Sequence, residues 1–390
     1  VTHAVIIGGG IAGPVTAMAL HKAGINAVVY EAYPTGADDL GAFLALMNNG
    51  LDALRAIDAY HPVAAASFPT SYVETFNGTG QSLGVQAVGL LDDNRPRTIT
   101  RAGLYRVLHN EATRRGIHIE HGKRLVTCEV TDRGVRARFA DGTHADGDLL
   151  IGADGIHSTV RGVLNPAAPR PRYTGLDMVY GYTHDITHTT PADFFRMTYG
   201  TRAFFGYATA PDGHTWWFAR IPGTPLSKDQ LAAIGPAEWK SRTLPFFVDD
   251  TTPAADIIRA TDTSVFGTSA YHIPHLPLWR QGPIILVGDA AHASSPAAGM
   301  GASLAIEDGV ILALCLRDLP DTEQALQAYE RLRRPRAERL IAASAQLGKR
   351  ATPPSGAQHI TPETRPSNPT WPCEHHIDWN TNLNHEPTTR

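Results

Sequence analysis

The stretch AVIIGGGIAGPVTAMALHKAGINAVVYEA, Ala4 to Ala32, decides the fold. Val5 to Ile7 reads as a short buried strand that runs into three consecutive glycines. Ile11, Val15, Met18 and Ala19 then recur at helical spacing, Gly24 ends the helix, and NAVVYEA is a second strand. Gly8, Gly10 and Gly13 fit G-x-G-x-x-G. The first glycine permits a tight turn, the second lets backbone approach a pyrophosphate, and the third lets helix pack on strand. Glu31 closes the second strand, where an acid accepts ribose hydroxyl bonds. A glycine turn alone serves packing as well as binding. Strand, glycines, helix, strand and acid in register point to a dinucleotide site, without saying which dinucleotide.

The 390 residues suffice for two or three domains. A net charge of −4, from 34 Lys+Arg and 38 Asp+Glu, provides no basic field for nucleic acid and no polybasic membrane patch. No apolar run approaches the ~18–20 residues of a membrane span. The N-terminus has no signal-peptide pattern, so the expectation is a cytoplasmic protein without an integral membrane segment. Cys128, Cys315 and Cys373 are widely spaced, which argues against a disulfide framework or a zinc site. Cys315, in GVILALCLRDL, reads as a buried inert thiol. No histidine spacing argues for a metal.

Thr100 caps a helix through TRAGLYRVLHNEATRRG, and short strands follow with turns at Asp132–Gly134 and Asp141–Gly142. From Tyr173 the texture becomes aromatic and alternating. GPIILVGDAAH is again a buried strand entering a turn, followed by a long helix, then a second helical stretch expected to break or kink at Pro335. From Ala351 the chain is rich in Pro, Asn, Thr and His and has no apolar period.

Two later segments, DLLIGADGIHSTVR and PIILVGDAAHASSPAAGMGASLAIEDG, also end strands with an acid beside glycine. Each dipeptide alone is a turn signal. With the N-terminal fingerprint, and at strand ends where α/β sheets bind ligands, both favour cofactor contact. Over roughly Val5 to Gln346 the sequence resembles the flavin-dependent aromatic hydroxylases of the p-hydroxybenzoate hydroxylase type, the group A monooxygenases. The resemblance implies FAD, with Gly8, Gly10, Gly13 and Glu31 on its ADP half. It implies Asp154 and Gly155 touching FAD and receiving NADPH or NADH, and Gly288 and Asp289 at the ribityl chain. It implies Arg101 along the flavin, and Pro296, Gly299 and Gly301 presenting N–H groups to the ring. The glycine-rich start of the long helix suits the negative charge of a reduced flavin on independent grounds. Ala32 stands where the family often has a basic residue, and Ser303 replaces an asparagine.

The implied fold is α/β: a Rossmann-like FAD-binding domain of discontinuous segments (1–71, 98–172 and 264–348), an inserted mainly-β substrate domain (72–97 and 173–263) and an irregular tail (349–390), with a long C-terminal helix. The implied reaction is NAD(P)H-dependent insertion of one oxygen atom from O2, by a C4a-hydroperoxyflavin, into a small aromatic or polyene substrate. The expected assembly is a monomer or homodimer. In extended strands Trp216 and Phe218 share a face, as do Phe205 and Tyr207. These four are the pocket-wall candidates, and sheet core is the competing role for each. His184, His214, His272 and His275 are candidate proton carriers. Two rivals stand. A flavin-dependent halogenase is disfavoured because HTWWFARIP departs from the W-x-W-x-I-P element. The other is a flavin-binding sensor or carrier without turnover.

Overall fold

The computed structural model describes residues 3–35, 42–91, 93–184, 188–350 and 370–383. The opening stretch forms the β-α-β unit its pattern predicts: strand His3–Ile7, helix Ala12–Lys22 and strand Asn26–Tyr30. These strands lie in a six-stranded sheet ordered Arg280–Gln281, Ile284–Leu286, Leu149–Gly152, His3–Ile7, Asn26–Tyr30, His118–Glu120. All neighbours are parallel except at the Arg280–Gln281 edge. Chain order therefore reverses at His3–Ile7, and the ends of the flanking strands open a crevice there. Val5, Ile6, Leu149, Leu150, Ile151, Ile285 and Leu286 are buried, as strands covered on both faces require.

The helix Gly301–Asp318 packs on this layer against Ala12–Lys22, Asn48–Ala56 and Thr322–Arg350. A Cβ on Gly309 would lie 2.6 Å from the Thr16 hydroxyl, so glycine sets how closely the two helices approach. Thr322–Arg350 stays a single helix through Pro335, so of the break or kink expected there the break does not occur. Ion pairs brace both sides of the proline: Arg333 to Glu307 and Asp308, Arg334 to Glu330, and Arg336 to Glu307. Tertiary anchoring outweighs the missing backbone bond.

A seven-stranded sheet is ordered Val265–His272, Arg172–Thr183, Thr215–Pro222, Phe204–Thr209, Phe194–Tyr199, Tyr72–Asn77, Ser82–Ala87. The strand Val265–His272, read from sequence as part of the cofactor segment 264–348, pairs here with Arg172–Thr183. Its alternating VFGTSAYH puts Phe266 on one face, and that local pattern does not tell which sheet it joins. Phe205, Tyr207 and Trp217 pack on the back of this sheet against Trp239, Phe247, Ile257 and Ile258.

Residues 370–383 form no helix or strand, yet they dock on the first layer. Cys373 and Ile377 are buried. Asp52 accepts from Ile377 N at 2.7 Å and pairs with His376 Nδ1 at 2.9 Å, while Arg336 donates to the Pro372 carbonyl at 2.6 Å. Replacing Asp52 with Ala should free this segment, costing about 2–3 kcal/mol for a buried charged acceptor. Hydrogen exchange would then accelerate over 370–383 and leave the strand His3–Ile7 unchanged.

Candidate functional site

Three turns converge at the crevice. A Cβ on Gly8, which holds φ +107°, would overlap the Ala153 carbonyl, so the first turn lies directly on the chain leading to Asp154. A Cβ on Gly13 would overlap the Gly8 carbonyl oxygen. Gly10 differs: among the described residues no atom beyond its chain neighbours lies within 4 Å of its would-be Cβ. The space beside it is open, as the approach of a pyrophosphate requires. The helix Ala12–Lys22 has no side-chain cap and no acid in its first turn, so its N–H groups and dipole face that space. Glu31 accepts from Gly9 N at 2.6 Å and Tyr33 N at 2.9 Å. His109 Nε2 lies 2.6 Å from the Gly9 carbonyl and braces the turn from the other side.

The second turn carries Asp154 and Gly155. Asp154 accepts from Ser158 Oγ at 2.5 Å, Thr159 N at 2.7 Å and Val160 N at 3.1 Å, so its carboxylate caps the helix Thr159–Leu164. Burial raises its pKa against those donors. Arg161, buried, donates to the Ile156 carbonyl at 2.5 Å and the Ala290 carbonyl at 2.9 Å, joining this turn to the third.

Gly288, at φ +60°, would meet Ala305 and Ala12 at 3.1–3.2 Å if it carried a Cβ. The next residue, Asp289, is exposed and opens the short helix Asp289–His292. Beyond it Pro296 begins a 3-10 turn, Gly299 is left-handed at φ +66°, and Gly301 opens Gly301–Asp318 without a side-chain cap or first-turn acid. Ser344 clamps the turn, accepting from Ala298 N at 3.2 Å and donating to the Ser295 carbonyl at 2.6 Å. Ser303 is buried and accepts from Met47 N at 3.0 Å. Arg101 opens its helix with Thr100 capping Gly103 N; its own N–H donates to the Ala42 carbonyl at 2.7 Å and its side chain is exposed.

Beneath the third turn lies a buried ion network whose partners sit far apart in the chain. Asp308 accepts from Gly288 N at 2.8 Å and Arg333 Nε at 2.7 Å and pairs with His292 Nε2. Arg333 reaches Glu307 at 2.6 Å, and Glu307 takes two bonds from Arg336 at 2.7 and 3.0 Å. Burial opposes charge on His292, and Asp308 overrides it and raises the imidazole pKa. Burial likewise opposes charge on Asp308, which its cationic neighbours hold down at about 2. The visible signal for this network was the acidic pair inside the apolar run SLAIEDGVILAL.

The pocket-wall candidates separate. Trp216 and Phe218 face Phe43, Tyr180, Phe195 and Phe266, with Phe43 at 5.7 and 6.0 Å from the Trp216 and Phe218 rings. Phe205 and Tyr207 point to the opposite face, into the core with Trp217 and Trp239. Strand alternation forces this, because Phe205 lies opposite Ala219 and Tyr207 opposite Trp217 in the ladder. Val88 touches both the aromatic cluster and the cluster of Met47, Ala298 and Met300, placing the Trp216 face beside the flavin-turn candidates. None of the four candidate histidines joins that cluster. His184 and His214 pack together at 3.6 Å, His275 pairs with Glu338 at 3.2 Å, and His272 lies opposite Arg172. The thiols of Cys128, Cys315 and Cys373 are free and buried, and burial pushes Cys315 up to about 12.

These features define a dinucleotide flavoprotein. Residues 1–344 match the FAD binding domain family. The aurachin C monooxygenase/isomerase of Stigmatella aurantiaca is 30% identical over 349 residues, 88% of each chain. The FAD-dependent urate hydroxylase of Klebsiella pneumoniae is 28% identical over 356 residues, 87% of each chain. The structure of Klebsiella pneumoniae HpxO with FAD and uric acid superposes with a TM-score of 0.81 at 26% identity, covering 90% of this chain and 89% of that one. The chain belongs to the FAD-dependent monooxygenases of this family, the group A enzymes, and FAD is its cofactor. The open space at Gly10 and the two uncapped helix starts fit that cofactor.

Two predictions follow from this geometry. Gly10→Ala should leave the apoprotein's thermal midpoint unchanged yet weaken FAD binding about 100-fold or more, whereas Gly13→Ala should destabilise the apoprotein itself by about 1–3 kcal/mol. Calorimetry and flavin-fluorescence titration separate the two. The raised His292 pKa makes its pairing with Asp308 fully stabilising below the free-imidazole value of about 6.5, and lost as pH rises through the raised value. Asp308, held at about 2, contributes above the unfolded carboxyl value of about 3.9 and loses its contribution as pH falls toward about 2. Thermal melts across pH should show an alkaline decline that His292→Gln removes.

Proposed function

We propose that this enzyme uses NADPH or NADH and O2 to insert one oxygen atom into a small aromatic or olefinic compound. The observation that carries the reading is the aromatic face of Trp216, Phe218, Tyr180 and Phe43, joined through Val88 to the turn at Ala298 and Met300. Aromatic walls bind flat apolar rings and exclude water. The sequence contains one G-x-G-x-x-G, so the reductant is read as a transient visitor with no Rossmann unit of its own.

In this reading Gly8, Gly10, Gly13 and Glu31 hold the ADP half of FAD. Asp289 would hold the ribityl chain, and the N–H groups from Gly299 to Gly301 would hold the ring. Asp154 and Gly155 would shape the turn that receives the nicotinamide, and Arg101 would contact the flavin. Bound flavin supplies electron transfer from NAD(P)H and the activation of O2. The chain's contribution is position and dryness. The helix Gly301–Asp318 directs its positive end at developing negative charge, and the aromatic face shields the reacting centre from water. Residues 72–91 and 172–272 form the substrate-binding part, and the rest of residues 1–348 the cofactor part.

The test is NAD(P)H oxidation by FAD-loaded protein under 18O2, across phenols, polycyclic aromatics, indoles and polyenes. The expected result is a compound that accelerates oxidation and gains one 18O atom. Acceleration by no compound, with FAD firmly bound, would favour a sensor, and a product that requires chloride would favour a halogenase. Trp216→Ala and Phe218→Ala should raise KM for that compound and divert reducing equivalents to peroxide. Phe205→Ala should lower stability by about 3–5 kcal/mol and leave KM unchanged.

A further inference from the structure

Residues 370–383, without helix or strand, complete an apolar cluster against which the third turn of the crevice rests. Ala298 and Met300, in the turn between Pro296 and Gly301, are buried together with Leu304, Met47, Leu340 and Cys373. Trp371 packs on the edge of that cluster. Its members come from the turn and the helix it opens, from the start of Asn48–Ala56, from Thr322–Arg350 and from the C-terminal segment. Cys373 is 2% exposed, so it is a core member rather than a surface cover. Its sulfur also meets the backbone N–H of Asn48, at the start of a helix without a side-chain cap.

Charged groups fix where this segment sits. Arg336, already bonded to Glu307, donates to the Pro372 carbonyl at 2.6 Å. The guanidinium groups of Arg336 and Arg339 lie 5.3 and 4.2 Å from the Trp371 ring, within cation–π range. Asp52 holds the next stretch through Ile377 N and His376 Nδ1, and Arg317 donates to the Thr381 carbonyl at 3.0 Å. Trp371 and Cys373 are thus presented to the turn in one position. The turn needs that support. Gly299 is left-handed, and the helix Gly301–Asp318 starts without a side-chain cap. Ser344 clamps the turn at Ala298 N, and apolar packing seats the rest. In a close-packed cluster the loss of one member is felt by its neighbours.

We propose that the C-terminal segment is part of the flavin site: Trp371 and Cys373 are positioning residues that seat the turn Pro296–Gly301, and undocking the segment releases FAD. This rests on the reading in which the N–H groups of that turn hold the flavin ring. The segment lies beyond residues 1–344, which match the FAD binding domain, so it is a cofactor-retaining element outside that domain. By linkage, whatever the segment lends to FAD binding, FAD returns to the docking of the segment.

The test is the rate of FAD release from the full-length holoenzyme, followed as the rise of free-flavin fluorescence after dilution. Trp371→Ala and Asp52→Ala disturb the segment at two separate anchors. Each should speed release about tenfold or more, because apparent affinity falls with the fraction of protein that keeps the turn seated. Trp371→Phe keeps a ring for both guanidinium groups and should stay within about threefold of the wild type. Phe205→Ala, a core change on the back of the seven-stranded sheet, should not speed release, which separates seating of the turn from a general loss of stability. Hydrogen exchange over 370–383 should be slower in the holoenzyme than in the apoprotein. Wild-type release rates in both Trp371→Ala and Asp52→Ala, equal acceleration by Phe205→Ala, or exchange over 370–383 that does not respond to FAD would each overturn the proposal. Ser344→Ala tells this failure from a failure of the turn's assignment, since it loosens the turn directly. Wild-type release there as well means that the turn does not hold the flavin; fast release in Ser344→Ala alone overturns only the role of the segment.

Discussion

The structure depends on the carboxylate of Asp308. It sits fully buried in the middle of an apolar helix and holds the backbone N–H of Gly288, the imidazole of His292 and the guanidinium of Arg333. A lone buried carboxylate would be strongly destabilising, and one with three donors fixes whatever supplies them. What it fixes is the turn of the glycine-aspartate motif, and with it the exposure of Asp289. Glu307 extends the same pairing to Arg336, and Arg336 in turn holds the segment at Pro372. One chain of charges thus runs from the cofactor crevice to the docked C-terminal segment. The turn of the glycine-aspartate motif is held by polar contacts beneath it as well as by its own residues.

The glycines around the crevice divide by physical role. Gly8 and Gly13 exist for protein–protein contact, because a side chain at either would overlap backbone. Gly10 has open space among the described residues where its Cβ would stand, which suits the approach of a ligand. The same contrast separates the two faces of the seven-stranded sheet. Its back face is closed by helices and is core; its front face is lined by rings and lies beside the turn at Ala298 and Met300.

Much of the cofactor half was legible in the sequence because its signals are local. Ala4 to Glu31 specify strand, turn, helix and strand within about thirty residues, and Thr100 caps its helix as its position predicts. What was hidden depends on partners distant in the chain. Phe205 and Trp216 both look like strand aromatics, and only the ladder register assigns them to opposite faces. Val265–His272 reads as a strand without revealing its sheet. Pro335 reads as a helix breaker until Glu307 and Asp308, some thirty residues away, hold its neighbours in place.

The most direct measurement on the central constraint is FAD affinity in Asp308→Asn. The substitution preserves shape and removes the charge that gathers Gly288, His292 and Arg333. Flavin-fluorescence titration should show FAD binding weakened about tenfold or more, the effect of misplacing a turn through a lost charged acceptor, while far-ultraviolet circular dichroism stays native. Wild-type affinity in a folded Asp308→Asn protein would contradict the claim that this buried carboxylate sets the cofactor turn.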